Sequence, residues 1–541
     1  MANREFRVLL VYPNLHMMLV PATAIGLFTS ILRKQGFTVD LFDTTRYDHD
    51  STVSTEKRVE SLQYRPFHPE TDIAWTKVPG EQLVPDFVAK VDAFKPDLIL
   101  VSTVEDTFKQ GLLLLDAIKE RDIPTVVGGV FVTAAPDKAL SYPQIKMVGL
   151  GEGENLVLSV ATRLRDGQSL DNIPNLWLKK PDGTIIRNAM GPLIDINRPI
   201  PDFTLFDERR FLRPMGGRVF KTLPLETYRG CPFQCTFCNS PMQVSFSKDN
   251  NLGNFLRTKQ ASRIKDEIQQ IIEKHQPEYF YILDDSFLSR PQSEIDAFIE
   301  IYSEVKIPFW FNTRPESVSA ANLKALIEVG LDRLSVGVEH GNYEFRRHVL
   351  KRHPTNAQIL EKLSVIADSG VAFSINGIIG FPGETRELMF ETIELFRQVR
   401  GFDALTISIF TPYHGTELRD VAIKAGYLDA DTMTTHTTSS SLLKMPNLTS
   451  EQIDGMFRTM LMYVRFEKEL WPDVQVAESF TEEGNRMWRK LFELYQERYY
   501  AVDQDGVPLR QQLPPTDVTI KHPKGDNWEE VFGPMSKTQM R

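Results

Sequence analysis

Cysteine is scarce in this chain, with three in 541 residues, and all three fall in one short stretch as Cys231, Cys235 and Cys238. Three closely spaced cysteines make no disulfide framework, so a reducing interior is expected. Basic charge is also short. Lys and Arg number 62 against 72 Asp and Glu, for a net charge of −10, which argues against a nucleic-acid groove as the main partner surface. No apolar run approaches the ~20 residues a membrane span needs. No N-terminal stretch combines a basic start, an apolar centre and a small-residue cleavage site. Nucleotide fingerprints are missing too: Gly151-Glu152-Gly153-Glu154 is no dinucleotide motif, and no stretch matches a P-loop. These absences leave a soluble cytoplasmic enzyme as the provisional class, long enough for two to four domains.

What is present begins with alternation. Residues 6–12 (FRVLLVY) read as a buried strand closed by Pro13, residues 22–34 as a helix stopping at Gly36, and 37–42 as a second strand. A stretch carrying Pro66, Pro69 and Pro79 is too irregular for a core element. Further strands are expected at 97–102, at 124–127 running into Gly128–Gly129, and at 145–148 running into Gly151-Glu152-Gly153-Glu154, with an amphipathic helix at 107–121. Strand–helix alternation with glycine turns indicates a doubly wound, Rossmann-like parallel sheet, whose ligands sit at the carboxyl ends of the strands. Residues 177–188 look like a hairpin around Pro181-Asp182-Gly183. The proline-punctuated stretch 192–224 reads as a linker that crosses the surface.

A second series starts near Thr222. Strands are expected at 223–228, 279–283, 309–312, 333–338, 372–379 and 404–410, with helices between them at 262–274, 293–304, 320–329, 356–368 and 384–399. Six such units make a parallel barrel or part of one, and the cysteine loop follows the first strand, at the mouth where barrel active sites lie. Beyond Gly415 the pattern is mainly helical, with aromatic ridges at 456–471 and 487–500 and a polar, proline-bearing tail. The expected class is α/β, divided as 1–190 (Rossmann-like domain), 191–221 (linker), 222–415 (partial six-unit barrel) and 416–541 (helical domain and tail).

Three soft thiolates on one loop suit an iron–sulfur cluster and leave one iron without a protein ligand. A structural zinc site is the alternative, but zinc wants four ligands, usually in two pairs. The ten histidines are scattered, with His275 on a charged helix face and His348 and His353 among basic residues. The motif Arg229-Gly230-Cys231-Pro232-x-x-Cys235-x-Phe237-Cys238 resembles the signature of radical S-adenosylmethionine enzymes. That resemblance implies a [4Fe–4S] cluster on Cys231, Cys235 and Cys238, with S-adenosylmethionine chelating the fourth iron and yielding a 5′-deoxyadenosyl radical. It extends over about 222–418. Phe237 lies in the signature itself, and Asp284-Asp285-Ser286-Phe287 stands where the family binds the methionyl amine. Asn312 and Arg314 end the third strand, and Ser335 and Glu339 stand where the ribose and methionyl group are held. Residues 377–385 (GIIGFPGET), with Ile379, resemble the adenine motif, and 411–416 (TPYHGT) the segment after the sixth strand.

The N-terminal domain resembles the cobalamin-binding domain of one subgroup of this family. The resemblance assigns its ligand contacts to Tyr12–Pro13, Ser102–Thr103, Gly128–Gly129–Val130 and Gly151-Glu152-Gly153. The Asp-x-His-x-x-Gly motif whose histidine ligates cobalt is absent, and Asp48-His49 has the wrong spacing, so His16, His49 and His68 are not assigned to cobalt. The insert around Tyr64, His68 and Trp75 is a candidate cover for the lower corrin face, with Trp75 a packing residue. These resemblances imply a cobalamin-dependent methyltransferase acting on an unactivated carbon or phosphorus centre. The alternatives are a cyclase or rearrangement enzyme, with or without cobalamin, or a non-catalytic metal-binding scaffold. The expected partners are a small-molecule or peptide substrate and an electron donor such as flavodoxin or ferredoxin, with no nucleic acid and no membrane span. Tyr413 and His414 are candidate substrate contacts or turn residues.

Overall fold

The computed structural model describes residues 5–16, 20–49, 54–66, 73 and 75–500. The N-terminal sheet contains β1 (Arg7–Tyr12), β2 (Thr38–Asp43), β3 (Leu98–Ser102), β4 (Thr125–Gly128), β5 (Met147–Gly149), β6 (Leu176–Lys179) and β7 (Ile185–Arg187), in the order β2-β1-β3-β4-β5-β6-β7. The first five are parallel, and the β6–β7 hairpin adds antiparallel to the β5 edge. Val8 to Val11 are wholly buried, as expected of a strand covered on both faces by helices. One of those helices, α1 (Thr23–Lys34), sends Ile25 and Leu32 into the core.

The carboxyl ends of β3 and β4 come into close backbone contact. Gly129 has φ +135°, and a Cβ there would stand 1.9 Å from the Thr103 carbonyl oxygen, so only glycine fits. Gly129→Ala is expected to push these strand ends apart and to lower the thermal midpoint. An unchanged melting curve would show that the loop relaxes freely.

The second sheet runs β8 (Leu212–Met215), β9 (Arg218–Leu225), β10 (Tyr279–Ile282), β11 (Phe309–Thr313), β12 (Leu331–Glu339), β13 (Ala372–Ile379) and β14 (Ala404–Ile409), in that order. Strands β9 to β14 are the six parallel strands, and β8 pairs antiparallel with β9. The curved sheet is open, with β8 and β14 at its edges. Alternation decides which side chains reach the lumen. Phe309 and Phe311 point outward onto Phe287, Phe298 and Tyr302, which leaves Trp310 and Asn312 facing inward.

Two expectations change here. The stretch 191–221 does not merely cross the surface: Phe203, Arg210 and Phe211 are buried, and residues 212–215 form β8. Prolines preclude a regular helix there, yet the phenylalanines still supply apolar area to bury. His275 is not on a charged face either; it is buried with its ring near Phe203 and Phe211.

The insert expected to cover the corrin packs on the barrel. It forms α2 (Ser54–Glu60), and its side chains reach the open edge strand. Arg58 Nη1 donates to the Ile407 carbonyl at 2.9 Å, while the Ile407 N–H donates to Gln63 Oε1 at 2.9 Å. Side chains thus satisfy backbone groups that an edge strand would otherwise leave open. Trp75, fully buried beside Ile73, packs against Leu212 and Val219. His49 is exposed, His16 is buried, and His68 lies outside the described residues. After the barrel, α3 (Ser450–Arg465) and α4 (Glu482–Tyr499) carry the expected helical aromatics, Tyr463, Trp488 and Tyr495 among them. Among the described residues no helix is long and apolar enough to cross a membrane.

Candidate active site at the barrel mouth

The cysteine loop leaves the carboxyl end of β9, and its base is pinned where Tyr228–Arg229 pair antiparallel with Arg257–Thr258. Asp284, at the end of β10, accepts from the Thr227 and Tyr228 N–H groups at 2.8 and 2.9 Å and pairs with Arg290. Its carboxylate holds the base of the loop at the strand end where the methionyl amine contact is expected. Asp285 accepts from Ser240 Oγ at 3.1 Å, and burial raises its carboxyl.

Cys235 is buried, and Cys231 and Cys238 are half-buried. Burial pushes the Cys231 thiol up to about 11 and the Cys238 thiol up to about 12, so ligation must displace their protons. Arg314 Nη1 stands 3.5 Å and Arg352 Nη1 3.9 Å from Cys235 Sγ. Arg314 also lies 3.6 Å over the Phe233 ring and pairs with Glu316. Arg352 is held by the Gly337 carbonyl and by Glu339 at 3.5 Å. Three sulfur donors beside two fixed guanidinium groups fit an anionic cluster bound through thiolates. Among the described residues no three His, Cys, Asp or Glu side chains are grouped to hold a single metal ion.

Ser335 Oγ accepts from Trp310 Nε1 at 3.0 Å and from Ser374 Oγ at 2.9 Å, and Asn312 Nδ2 donates to Tyr281 Oη at 2.9 Å. Glu339 sits at φ +73° with its carboxyl raised by burial, although Arg352 and Arg314 draw it down. Phe237 packs on Phe381, ring centroids 5.9 Å apart. Ile379 has its side chain sealed in the core, and its carbonyl accepts from the Phe410 N–H. In the same motif, Glu384 accepts from the Phe381 N–H at 3.0 Å and meets His340 at 3.1 Å, both carboxylate and ring wholly buried.

On the N-terminal sheet, Tyr12, Pro13, Ser102, Thr103, Gly128, Gly129 and Val130 do gather at the carboxyl edge, because β1, β3 and β4 are adjacent and parallel. Burial pushes the Tyr12 hydroxyl up to about 12. Glu152 accepts from Arg229 at 2.7 Å, from the Ile194 N–H at 2.8 Å and from Arg257. It ties the sheet to the cysteine loop. Arg229 also meets Glu154 at 3.1 Å and Glu226 at 2.9 Å. Gly151 is exposed with φ +69°, whereas the space beside Gly153 is filled by Phe28, which makes Gly153 a packing turn.

A second tie joins the sheet to the segment after β14. Glu105, buried at the start of the helix Glu105–Ala117, accepts from the His414 N–H at 2.9 Å, from His414 Nδ1 at 2.7 Å and from the Thr434 N–H at 3.0 Å. His414 is therefore a clasp on the cobalamin-type domain. Sequence reading missed Glu105 and Arg352; the acidic pair Glu105–Asp106 directly after a strand was the available signal for the first, and a run of basic residues masked the second. Asp106 carries a consequence for stability. Burial pushes its carboxyl up to about 6, with Glu105 adding to the effect, and Oδ1 has no partner. Folding therefore favours the protonated acid, and this contribution is lost as pH rises through about 6. Asp106→Asn is expected to be more stable than the parent above about pH 7, by ~2–3 kcal/mol, and equal to it below about pH 4. Unfolding curves across this range check it.

Residues 225–396 match the family model of the radical S-adenosylmethionine superfamily, and residues 70–161 match the model of the B12 binding domain. The chain belongs to the cobalamin-binding radical S-adenosylmethionine enzymes. The cofactors of such an enzyme are a [4Fe–4S] cluster, S-adenosylmethionine and cobalamin. An uncharacterized methyltransferase of Pyrococcus horikoshii is 27% identical over 426 residues, covering 77% of this chain and 89% of that protein. An anaerobic magnesium-protoporphyrin IX monomethyl ester cyclase of Rubrivivax gelatinosus is 25% identical over 364 residues, covering 64% of this chain and 62% of that protein. The radical S-adenosylmethionine methyltransferase TsrM of Kitasatospora setae, solved with tryptophan substrate and an analogue of S-adenosylmethionine, shares the fold at a TM-score of 0.60 and 14% identity, over 91% of this chain and 98% of that one. This radical S-adenosylmethionine enzyme thus shares the two-sheet arrangement and helical C-terminal region of such folds.

Proposed function

We propose that the chain transfers a methyl group to an unactivated carbon or phosphorus centre in a radical reaction. The observation that carries this reading is the Glu152–Arg229 tie, which holds the carboxyl edge of the cobalamin-type sheet against the loop bearing the three cysteines. In this reading Cys231, Cys235 and Cys238 hold the cluster. Asn312, Arg314, Ser335 and Glu339 orient S-adenosylmethionine, with Asp285 and Phe237 at its margin. Tyr12, Pro13, Ser102, Thr103, Gly128, Gly129, Val130 and Gly151 face cobalamin. When bound, these groups supply a 5′-deoxyadenosyl radical and a transferable methyl group. The chain itself binds, orients and excludes water. Arg314 and Arg352 hold fixed positive charge at Cys235.

The domain division proposed is 1–190, 222–415 and 416–541, with 191–221 as a buried strap. A small-molecule or peptide substrate, a flavodoxin or ferredoxin as electron donor, and a cytoplasmic setting complete the proposal. Cyclisation is the second reading, favoured by the likeness to the Rubrivivax cyclase. The test is anaerobic reconstitution, cobalt and iron analysis, and mass spectrometry with methyl-deuterated S-adenosylmethionine. Label transferred to a product supports methylation, and an unlabelled product lacking two hydrogens supports cyclisation. Absence of 5′-deoxyadenosine under reductant overturns both.

A further inference from the structure

Below the mouth, the barrel floor holds a group of side chains to which the proposed function gives no part. Tyr281 and Trp310 stack with ring centroids 4.0 Å apart and planes 10° from parallel. Adjacent parallel strands in register bring them side by side. Arg213 reaches in from β8, its guanidinium carbon 5.0 Å from the Trp310 ring and 5.8 Å from the Tyr281 ring. The pairing Arg213↔Phe220 puts it on the same face as Phe220, whose ring packs on Tyr279 of β10.

The neighbouring arginines are spent. Arg333 pairs with Asp403 at 3.1 Å, Arg58 bonds Gln63 and the Ile407 carbonyl, and Arg65 donates to the Tyr500 carbonyl. Arg213 has a half-buried side chain with no hydrogen bond and no ion pair among the described residues. Asn376 on β13, also half-buried, has an amide with no hydrogen bond among the described residues. A guanidinium brought inside a barrel, laid on an aromatic stack and left without a carboxylate keeps its five donors for something else. The net charge of the chain is −10, so placing an unpaired cation there runs against the general surplus of acid.

We propose that this floor is the anchoring subsite for the substrate, and that Arg213 takes an anionic group of it, a carboxylate or a phosphate, in a bidentate pair. The aromatic stack fixes the guanidinium plane, and Asn376 offers hydrogen bonds to a polar portion of the ligand nearer the mouth. The inference rests on the proposed function only in taking the lumen as the substrate chamber.

The test uses the full-length, anaerobically reconstituted protein titrated by calorimetry with benzoate, phenyl phosphate and the uncharged benzamide. Saturable binding of benzoate or phenyl phosphate is expected, and whichever binds more tightly distinguishes the carboxylate from the phosphate. Benzamide, and the preferred anion on Arg213→Met, are expected to bind about 10–100-fold more weakly, the scale of a lost charge-assisted hydrogen bond. Arg213→Lys is expected to fall between, since an ammonium supplies charge without the fork. Iron content and thermal midpoint of the variants serve as folding controls. Equal affinity for benzamide and benzoate, unchanged affinity in folded Arg213→Met, or no saturable binding of either anion would overturn the proposal. Anion binding without 5′-deoxyadenosine formation would overturn the radical reaction and leave the subsite standing. Product formation unaffected by Arg213→Met would do the reverse.

Discussion

Arg229→Met is expected to destabilise the folded chain by about 3–5 kcal/mol, the scale of breaking a buried ion pair from one side. Arg229 is the shared partner of Glu152, Glu154 and Glu226, and among the described residues those carboxylates would retain Arg257 and Lys259 as paired cations. Burial works against the charged form of Glu152, yet Arg257 and Arg229 hold it below the usual carboxylate range. Burial likewise opposes Glu226, which Arg229 holds low. Stability from these two is present above the ordinary carboxylate range and is lost as pH falls through their depressed values. The variant should therefore lose most against the parent near neutrality and least in acid. Because Arg229 lies two residues before Cys231, iron retention should fall together with the unfolding midpoint. Retention of full iron content at an unchanged midpoint would show that the tie is dispensable.

Cys235→Ala is expected to abolish 5′-deoxyadenosine formation and to leave reconstituted protein without the cluster's visible absorption and without its reduced-state paramagnetic signal. Cys235 is the most buried of the three thiols and the one both arginines address. Its loss removes a ligand and leaves two buried cations facing a methyl group. Arg352→Met is the graded counterpart. It keeps all three sulfurs, and a fall of about 10–100-fold in cluster affinity or activity is the scale for removing a partner of a metal ligand. The reduction potential should drop as well, since a fixed positive charge beside the sulfur favours the reduced cluster. An unchanged potential in Arg352→Met would assign the arginine to packing alone.

The strand series was legible because both sheets are parallel and buried, and buried strands write themselves as short apolar runs such as Val8 to Val11. The lumen-facing residues were legible at β11, where Phe309, Trp310, Phe311 and Asn312 alternate. Asp284 and Glu152 were legible as acidic positions at strand ends, but their arginine partners were not. A carboxylate that binds a ligand and one that binds an arginine look alike in sequence, and the arginines of Glu152 lie 77 and 105 residues away. The burial of Ile379 was not legible either, since it belongs to a strand motif whose apolar pattern does not say which face is covered. The stretch 191–221 was misread because prolines report local backbone freedom and are silent about whether a segment is buried.

The contacts of Arg58 and Gln63 with β14 span 349 and 344 residues of sequence. The last parallel strand of the barrel is therefore completed by a piece of chain synthesised long before it. Long-range closure of this kind is slow to nucleate, and until it occurs the β14 edge is an open template for another chain. A fragment confined to the barrel would keep that edge exposed for good, so the catalytic half should aggregate when expressed alone and stay soluble when residues 54–66 are supplied on a co-expressed N-terminal half. Modularity visible in the order of the domains is thus absent from the order of assembly.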